Sequence, residues 1–367
     1  MDTPELLRTL VAFDTTSHRS NLDLIRWVAD YLDRPGIAVR LIHSDDGAKA
    51  NLLATLGPPV AGGIVLSGHT DVVPVGDQHW DTDPYTLVER GGRLHGRGAV
   101  DMKGFIAACL AAVPGWCGLR LSRPIHLALS YDEEVGCLGV PRLIAALSDQ
   151  LPPPALAIVG EPTQMRIGLA HRGFYGHRTV FHGRPAHSSD PRLGASAIEP
   201  AAGLIAHLAR LARTRQGRGR RATFNVGRVN GGTALNIVPA CCEVLWEFRP
   251  TDDASAAFVR AEVERMLAAV PPGVAVESAL LAAVPALATD RGSVAATLAR
   301  RLGGLWPPGA IAFGTEAGFF QQAGIPAIVC GPGAIAQAHQ PNEWIDVREL
   351  AAADRFLAGV GAWAAAG

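Results

Sequence analysis

The residues able to do hydrolytic chemistry gather in five short segments of the 367-residue chain. In SGHTDVVPV, His69 and Asp71 stand two apart, so an extended backbone places them on one face. An imidazole that ligates a metal needs its second nitrogen held, and a neighbouring carboxylate does this. His69 therefore reads as a ligand and Asp71 as its support. Asp101 closes the glycine-rich run HGRGAVD, which lacks both GxxxxGK[ST] and a GxGxxG opening a helix, so a phosphate loop is not indicated. A carboxylate at the tip of such a loop can bridge two cations; alone, it also suits the cap of a helix beginning at Lys103. SYDEEVG sets Glu133 beside Glu134. Neighbouring side chains diverge, so one carboxylate can bind a metal while the other faces the attacking water as general base. Glu161 in VGEPT follows an apolar run, and His339 lies far downstream in AHQPNEW. Two histidines and three carboxylates are nitrogen and oxygen donors suited to zinc, cobalt or manganese. With Asp101 bridging, each of two metals has three protein ligands and an open position, the arrangement of two-metal hydrolysis.

These segments need a scaffold that brings distant residues together, and the hydrophobic pattern supplies one. Residues 63–67 (GIVLS), 125–129 and 155–159 are short, apolar and β-branched, as strands covered on both faces are. Each precedes a polar cluster. The small-residue run 104–112 (GFIAACLAA) predicts a helix between the first two, giving the strand, helix, strand order of a parallel sheet. In open α/β sheets functional groups collect beyond the carboxyl ends of the strands. Thr3 followed by Pro4 predicts the start of a first helix, the Thr3 hydroxyl capping it. Residues 327–330 predict another buried strand and 350–366 a terminal helix.

The alternation is interrupted near Arg172. Residues 175–181, 223–229 and 242–248 predict strands, and 196–213 and 255–266 predict helices, an α+β insert with an antiparallel sheet and helices on one face. The expected organisation is a catalytic domain in two parts, 1–172 and 285–367, around an inserted domain, 173–284.

Composition narrows the class. Lys plus Arg number 33 and Asp plus Glu 34, a net charge of −1, which argues against a broad nucleic-acid surface. The arginines at 213, 215, 218, 220 and 221 read as a solvated helix end and loop. No apolar run reaches the roughly 20 residues that span a bilayer, and Asp2, Glu5 and Arg8 do not resemble a secretory leader. Six scattered cysteines without CxxC pairs read as reduced core residues. The expectation is a cytoplasmic enzyme with no membrane partner.

The segments SGHTDVVPV, GRGAVDMKG, DEEVG, GEPT and AHQPNE, in that order, resemble the metal-site blocks of the M20 family of metallo-aminoacylases and peptidases. The resemblance covers nearly the whole chain. It implies a mixed, largely parallel sheet flanked by helices, with a ferredoxin-like lid domain inserted. It further implies two divalent ions, zinc or cobalt, one held by His69, Asp101 and Glu161 and the other by Asp101, Glu134 and His339. Glu133 is then the general base, Asp71 the partner of His69, and Asp101–Met102 a candidate cis peptide.

Within the insert, GRPAHSSDP places His187 where the family's lid histidine reaches the partner's site in dimeric members and stabilises the oxyanion. NGGTALNIVPA puts Asn236 near the substrate, and WEFRP puts Arg249 where a substrate carboxylate is held, a role suited to the guanidinium fork. The implied partners are an N-acyl amino acid and a second copy of the chain, joined through the lid.

FGTEAG, with Thr315 and Glu316, is similar to the branch that deacetylates N2-acetyl-L-ornithine, not the desuccinylase branch. Thr315 is then a substrate contact and Glu316 a partner for the substrate's δ-ammonium. Ala99-Val100 departs from that branch, which commonly carries Thr-Cys before the bridging aspartate. The alternatives are another amidohydrolase of the family, a desuccinylase, aminoacylase or dipeptidase, or a non-catalytic ligand-binding relative.

Overall fold

The computed structural model describes residues 1–213, 222–306 and 310–366. It divides into two compact units, Met1–His171 with Leu287–Gly367, and Arg172–Ala286. Of the basic stretch, Arg213 ends a helix; Arg215, Arg218, Arg220 and Arg221 lie outside the described residues.

The first unit is built on a six-stranded mixed sheet. Its spatial order is Ile37–His43, Ala50–Leu56, Ile125–Ser130, Ile64–His69, Leu156–Pro162 and Ala327–Gly331. The last four run parallel, while the first two are antiparallel additions at one edge. The three central parallel strands are buried along their whole length, which is why they read as unbroken apolar runs. Helix Lys103–Cys117 packs on the Ile64–His69 strand and is itself covered by helices Thr3–Val11 and Val347–Ala365. Its small, apolar residues follow from burial on nearly every face. Gly160 permits this packing: a Cβ there would meet the Phe105 ring at 2.0 Å. The helix thus presses on the strand immediately before Glu161.

The second unit has the order strand, helix, strand, strand, helix, strand. Its antiparallel sheet runs Ala222–Gly231, Cys241–Pro250, Phe174–His182, Ala275–Val284, which in chain numbers is 2-3-1-4, the ferredoxin-like order. Helices Ile198–Arg213 and Asp253–Ala268 bury Leu204, Leu208 and Val259 against Phe181, Val244 and Phe248.

Several details differ from the sequence expectation. The first helix is capped by Asp2, whose carboxylate accepts from Glu5 N while Glu5 accepts from Asp2 N. Thr3 lies inside the helix and its hydroxyl donates to Asp354 at 2.6 Å. The two antiparallel strands at one edge, Ile37–His43 and Ala50–Leu56, are additional to those expected from the sequence. The fourth strand of the second unit, AVESALLAAV, is an edge strand exposed along most of its length, so no alternation marks it. All six cysteines are free, four of them buried; Cys117 and Cys241 are exposed and not core residues. No helix among the described residues is long and apolar enough to cross a membrane.

His126, in the central sheet, sits with Nδ1 2.9 Å from the Thr55 hydroxyl, and its Nε2 has no hydrogen-bond partner among the described residues. Burial pushes its pKa from the ordinary 6.5 down to about 4. The unfolded chain therefore binds more protons than the folded one across that window. The contribution of His126 is complete above pH 6.5 and is lost as pH falls toward 4. Metal-free protein should lose about 2–3 kcal/mol from this group at pH 4.5 relative to pH 7.5. His126→Leu should flatten the pH dependence of the urea midpoint by that amount; an equal slope in both proteins refutes the assignment.

Candidate metal centre

The parallel strands deliver the chemistry at their carboxyl ends. His69 is the last residue of its strand and is level with Ser130, the last residue of its neighbour. The chain leaving Ser130 carries Glu133 and Glu134. Glu161 is the penultimate residue of Leu156–Pro162. Asp101 precedes helix Lys103–Cys117, and the Asp101–Met102 peptide is cis. It is not a helix cap, since Met102 holds that position without a side-chain bond.

The Asp101 carboxylate lies between two imidazoles. Its Oδ1 is 2.9 Å from His69 Nε2, and its Oδ2 is 3.3 Å from His339 Nε2. Glu161 Oε1 stands 3.6 Å from the same His69 nitrogen, and Glu134 Oε2 3.0 Å from His339 Nε2. Two donor groups therefore share one carboxylate. Single ligand atoms of His69, Asp101 and Glu134 lie within 4.8 Å of one another, as do those of His69, Glu133 and Glu161. The side chains of His69, Asp101, Glu134 and Glu161 are buried, Glu133 is partly buried and His339 is half-exposed.

Asp71 acts differently from the sequence expectation. His69 Nδ1 makes its 2.9 Å hydrogen bond to the Asp71 main-chain carbonyl, while the carboxylate is 3.6 Å away. That carboxylate accepts from the Glu133 and Glu134 amides at 3.1 and 3.3 Å and from the Ser17 hydroxyl at 2.7 Å. One residue thus orients the imidazole through its backbone and the Glu133–Glu134 turn through its side chain.

The electrostatics state what the site lacks. Burial, followed by the repulsion of neighbouring carboxylates, raises Glu134 and pushes Glu161 well up. Glu133 is pushed well above the carboxylate range, first by burial and then, against the attraction of His69, by Glu134, Glu316 and Asp101. Burial also works against Asp101, but hydrogen bonds from His339 and His69 hold it well below the usual range. Those bonds, with Asp101 first and Glu134 second, lift His339 to about 10. Four carboxylates face two imidazoles in a buried space, a deficit of positive charge that divalent cations remove. The oxygen and imidazole donors fit zinc-like ions.

The remaining expected residues have the following surroundings within their own units. Glu316 is 1% exposed and its two oxygens accept from Ser67 at 3.0 Å and from Ser130. Both oxygens are thus engaged by hydroxyls of two neighbouring central strands, beside the site. Thr315 is fully buried, its hydroxyl 3.0 Å from His171 Nε2 and accepting from Ala317 N, so it orders the GTEA segment. In the second unit, His187 is exposed with Nδ1 2.8 Å from Ser189 Oγ. Asn236 is exposed, and its main-chain carbonyl accepts from Ser188 N at 3.1 Å, joining the two loops. Arg249 forks onto Glu247 at 3.2 and 3.4 Å and lies over the Phe174 ring. Sequence reasoning missed Glu343. It is four residues after His339 in a segment already singled out, but its partners are some 240 residues away.

Carboxylates and imidazoles converging at the carboxyl ends of a parallel sheet define a metal-dependent hydrolase. Residues 65–361 match the model of peptidase family M20/M25/M40, and the chain belongs to that family. It is 35% identical over 362 residues, 94% of this chain and 92% of the relative, to an acetylornithine deacetylase of Proteus mirabilis strain HI4320. Among solved structures, a tripeptidase from Staphylococcus aureus is similar with a TM-score of 0.75 at 19% identity, covering 100% of this chain and 98% of that one. A dinuclear metal-binding M20 peptidase from Bacillus subtilis is similar with a TM-score of 0.68 at 16% identity, covering 98% and 96%.

Because the charge deficit is built into the fold, metal should stabilise it. Chelated protein should regain stability on addition of zinc or cobalt, by about 2.7 kcal/mol at a free concentration one hundred times Kd. Asp101→Ala should abolish most of that gain in a thermal-melt titration; a full gain in the variant contradicts the shared role of Asp101.

Proposed function

We propose that this chain hydrolyses N2-acetyl-L-ornithine to L-ornithine and acetate, a step of arginine biosynthesis, as a homodimer in the cytoplasm. The observation that carries the reading is the similarity to an acetylornithine deacetylase along almost the whole chain, with the FGTEAG block in support. The six free cysteines suit a reducing compartment.

In this reading His69, Asp101 and Glu161 hold one divalent ion and Asp101, Glu134 and His339 the other, zinc or cobalt in both positions. A metal pair there acidifies water and polarises the acyl carbonyl. Glu133 takes the proton of the attacking water and passes it to the departing α-amine. Asp71 keeps the base in place through the amides of the Glu133–Glu134 turn. His187 of a second copy supplies the hydrogen bond to the tetrahedral oxyanion, as an exposed imidazole on a lid is able to do. Arg249 exchanges Glu247 for the substrate carboxylate, and Asn236 contacts the substrate from the neighbouring loop.

The test is hydrolysis by metal-reconstituted protein of N2-acetyl-L-ornithine, N-succinyl-LL-diaminopimelate and a dipeptide. Preference for the acetyl substrate supports the proposal; preference for either of the others keeps the metal chemistry and overturns the substrate. Glu133→Gln should lower kcat by about 10²–10⁴-fold while binding metal like the parent. His187→Ala should cost about 10²–10³-fold in kcat. An unchanged rate in either variant removes that residue from the mechanism.

A further inference from the structure

A buried ion pair next to the metal centre has a partner list that reaches both ligand loops. Arg97 and Glu343 are each 1% exposed, with Arg97 Nη1 2.8 Å from Glu343 Oε2. Glu343 belongs to the loop of His339, yet its carboxylate accepts from main-chain amides of the Asp101 loop. These are Gly98 at 3.0 Å, Val100 at 2.8 Å and Asp101 itself at 3.2 Å. Arg97 belongs to the Asp101 loop, yet it donates to the Gln340 carbonyl of the His339 loop at 3.4 Å. Each loop lends the other the charge that satisfies its backbone.

Gln78 completes the connection. Its side-chain carbonyl accepts from Arg97 Nη2 at 2.6 Å, and its amide donates to the His339 carbonyl at 3.0 Å. Close by, Asp81 N donates to the Asn342 side chain at 2.8 Å. His339 and Asn342 both have positive φ, 61° and 57°, backbone that non-glycine residues rarely adopt without local support. His339 needs that support most, since its side chain is half-exposed and little packing holds it.

We infer that Gln78, Arg97 and Glu343 are positioning residues that set His339 against Asp101 and thereby determine the affinity of the second metal position. The inference rests on reading Asp101, Glu134 and His339 as ligands of that position. Removing the Gln78 donor frees the His339 backbone without touching His69 or Glu161. The loss therefore falls on one of the two metals.

The experiment is titration of metal-free protein with Co(II), followed by visible absorption and by calorimetry. The parent should take up two equivalents; fewer than two means that the ligand reading fails, and the positioning inference with it. With two bound in the parent, Gln78→Ala should weaken the second equivalent about 10–100-fold, the usual effect of losing an outer-shell partner, and leave the first unchanged. Gln78→Glu still accepts from Arg97 but cannot donate to His339, so it should match the alanine variant. Arg97→Lys and Glu343→Gln disturb the loop of Asp101, which both positions share, so they should weaken both equivalents and alter the Co(II) spectrum, in contrast to the selective loss in the Gln78 variants. Parent-like affinity for both equivalents in the two Gln78 variants overturns the inference, and so does equal weakening of both. Gln78 is partly exposed, so its variants fold even if those at the buried pair do not.

Discussion

One carboxylate held between two imidazoles organises this molecule. Asp101 stays ionised at the centre of a buried cluster because His69 and His339 each face one of its oxygens. The cost of burying Glu133, Glu134 and Glu161 around it appears as carboxylates driven above their ordinary range. Burying like charges this closely is unfavourable unless a cation joins them. The same charges that strain the metal-free centre are those that, in the proposed reading, would hold the ions.

The fold contributes placement. Three parallel strands end level with one another, so residues far apart in sequence arrive at one mouth without long loops. What the strand ends leave loose is fixed by backbone hydrogen bonds. Asp71 gathers the amides of Glu133 and Glu134, and Glu343 gathers those around Asp101. The acidic side chains outside the donor set are therefore not surplus charge: each neutralises a bundle of main-chain N–H groups whose exposure inside the protein would be costly. Glu316 does related work beneath the centre, where it binds the hydroxyls of two neighbouring strands.

Much of this was legible in the sequence for a physical reason. Strands buried on both faces leave unbroken apolar runs, and ligands follow such runs directly, so His69, the Glu133–Glu134 pair and Glu161 could be found from local pattern. The family resemblance then joined them to His339. Side-chain direction was not legible. Asp71 lies beside His69 as expected, but the sequence did not show that its carbonyl makes the shorter contact to the imidazole while its carboxylate also reaches the next loop. The motif that carries Thr315 and Glu316 gave no sign that both side chains are buried and engaged by neighbouring hydroxyls and an imidazole. The exposed edge strand 275–284 left no alternation to read, since neither of its faces is fully covered.

The most direct measurement is a crystal structure of the zinc- or cobalt-loaded protein with the metals located by anomalous scattering. The account predicts two peaks about 3.5–4 Å apart on opposite sides of the Asp101 carboxylate, one beside His69 and Glu161 and the other beside Glu134 and His339. A single peak, or two peaks that Asp101 does not bridge, contradicts it.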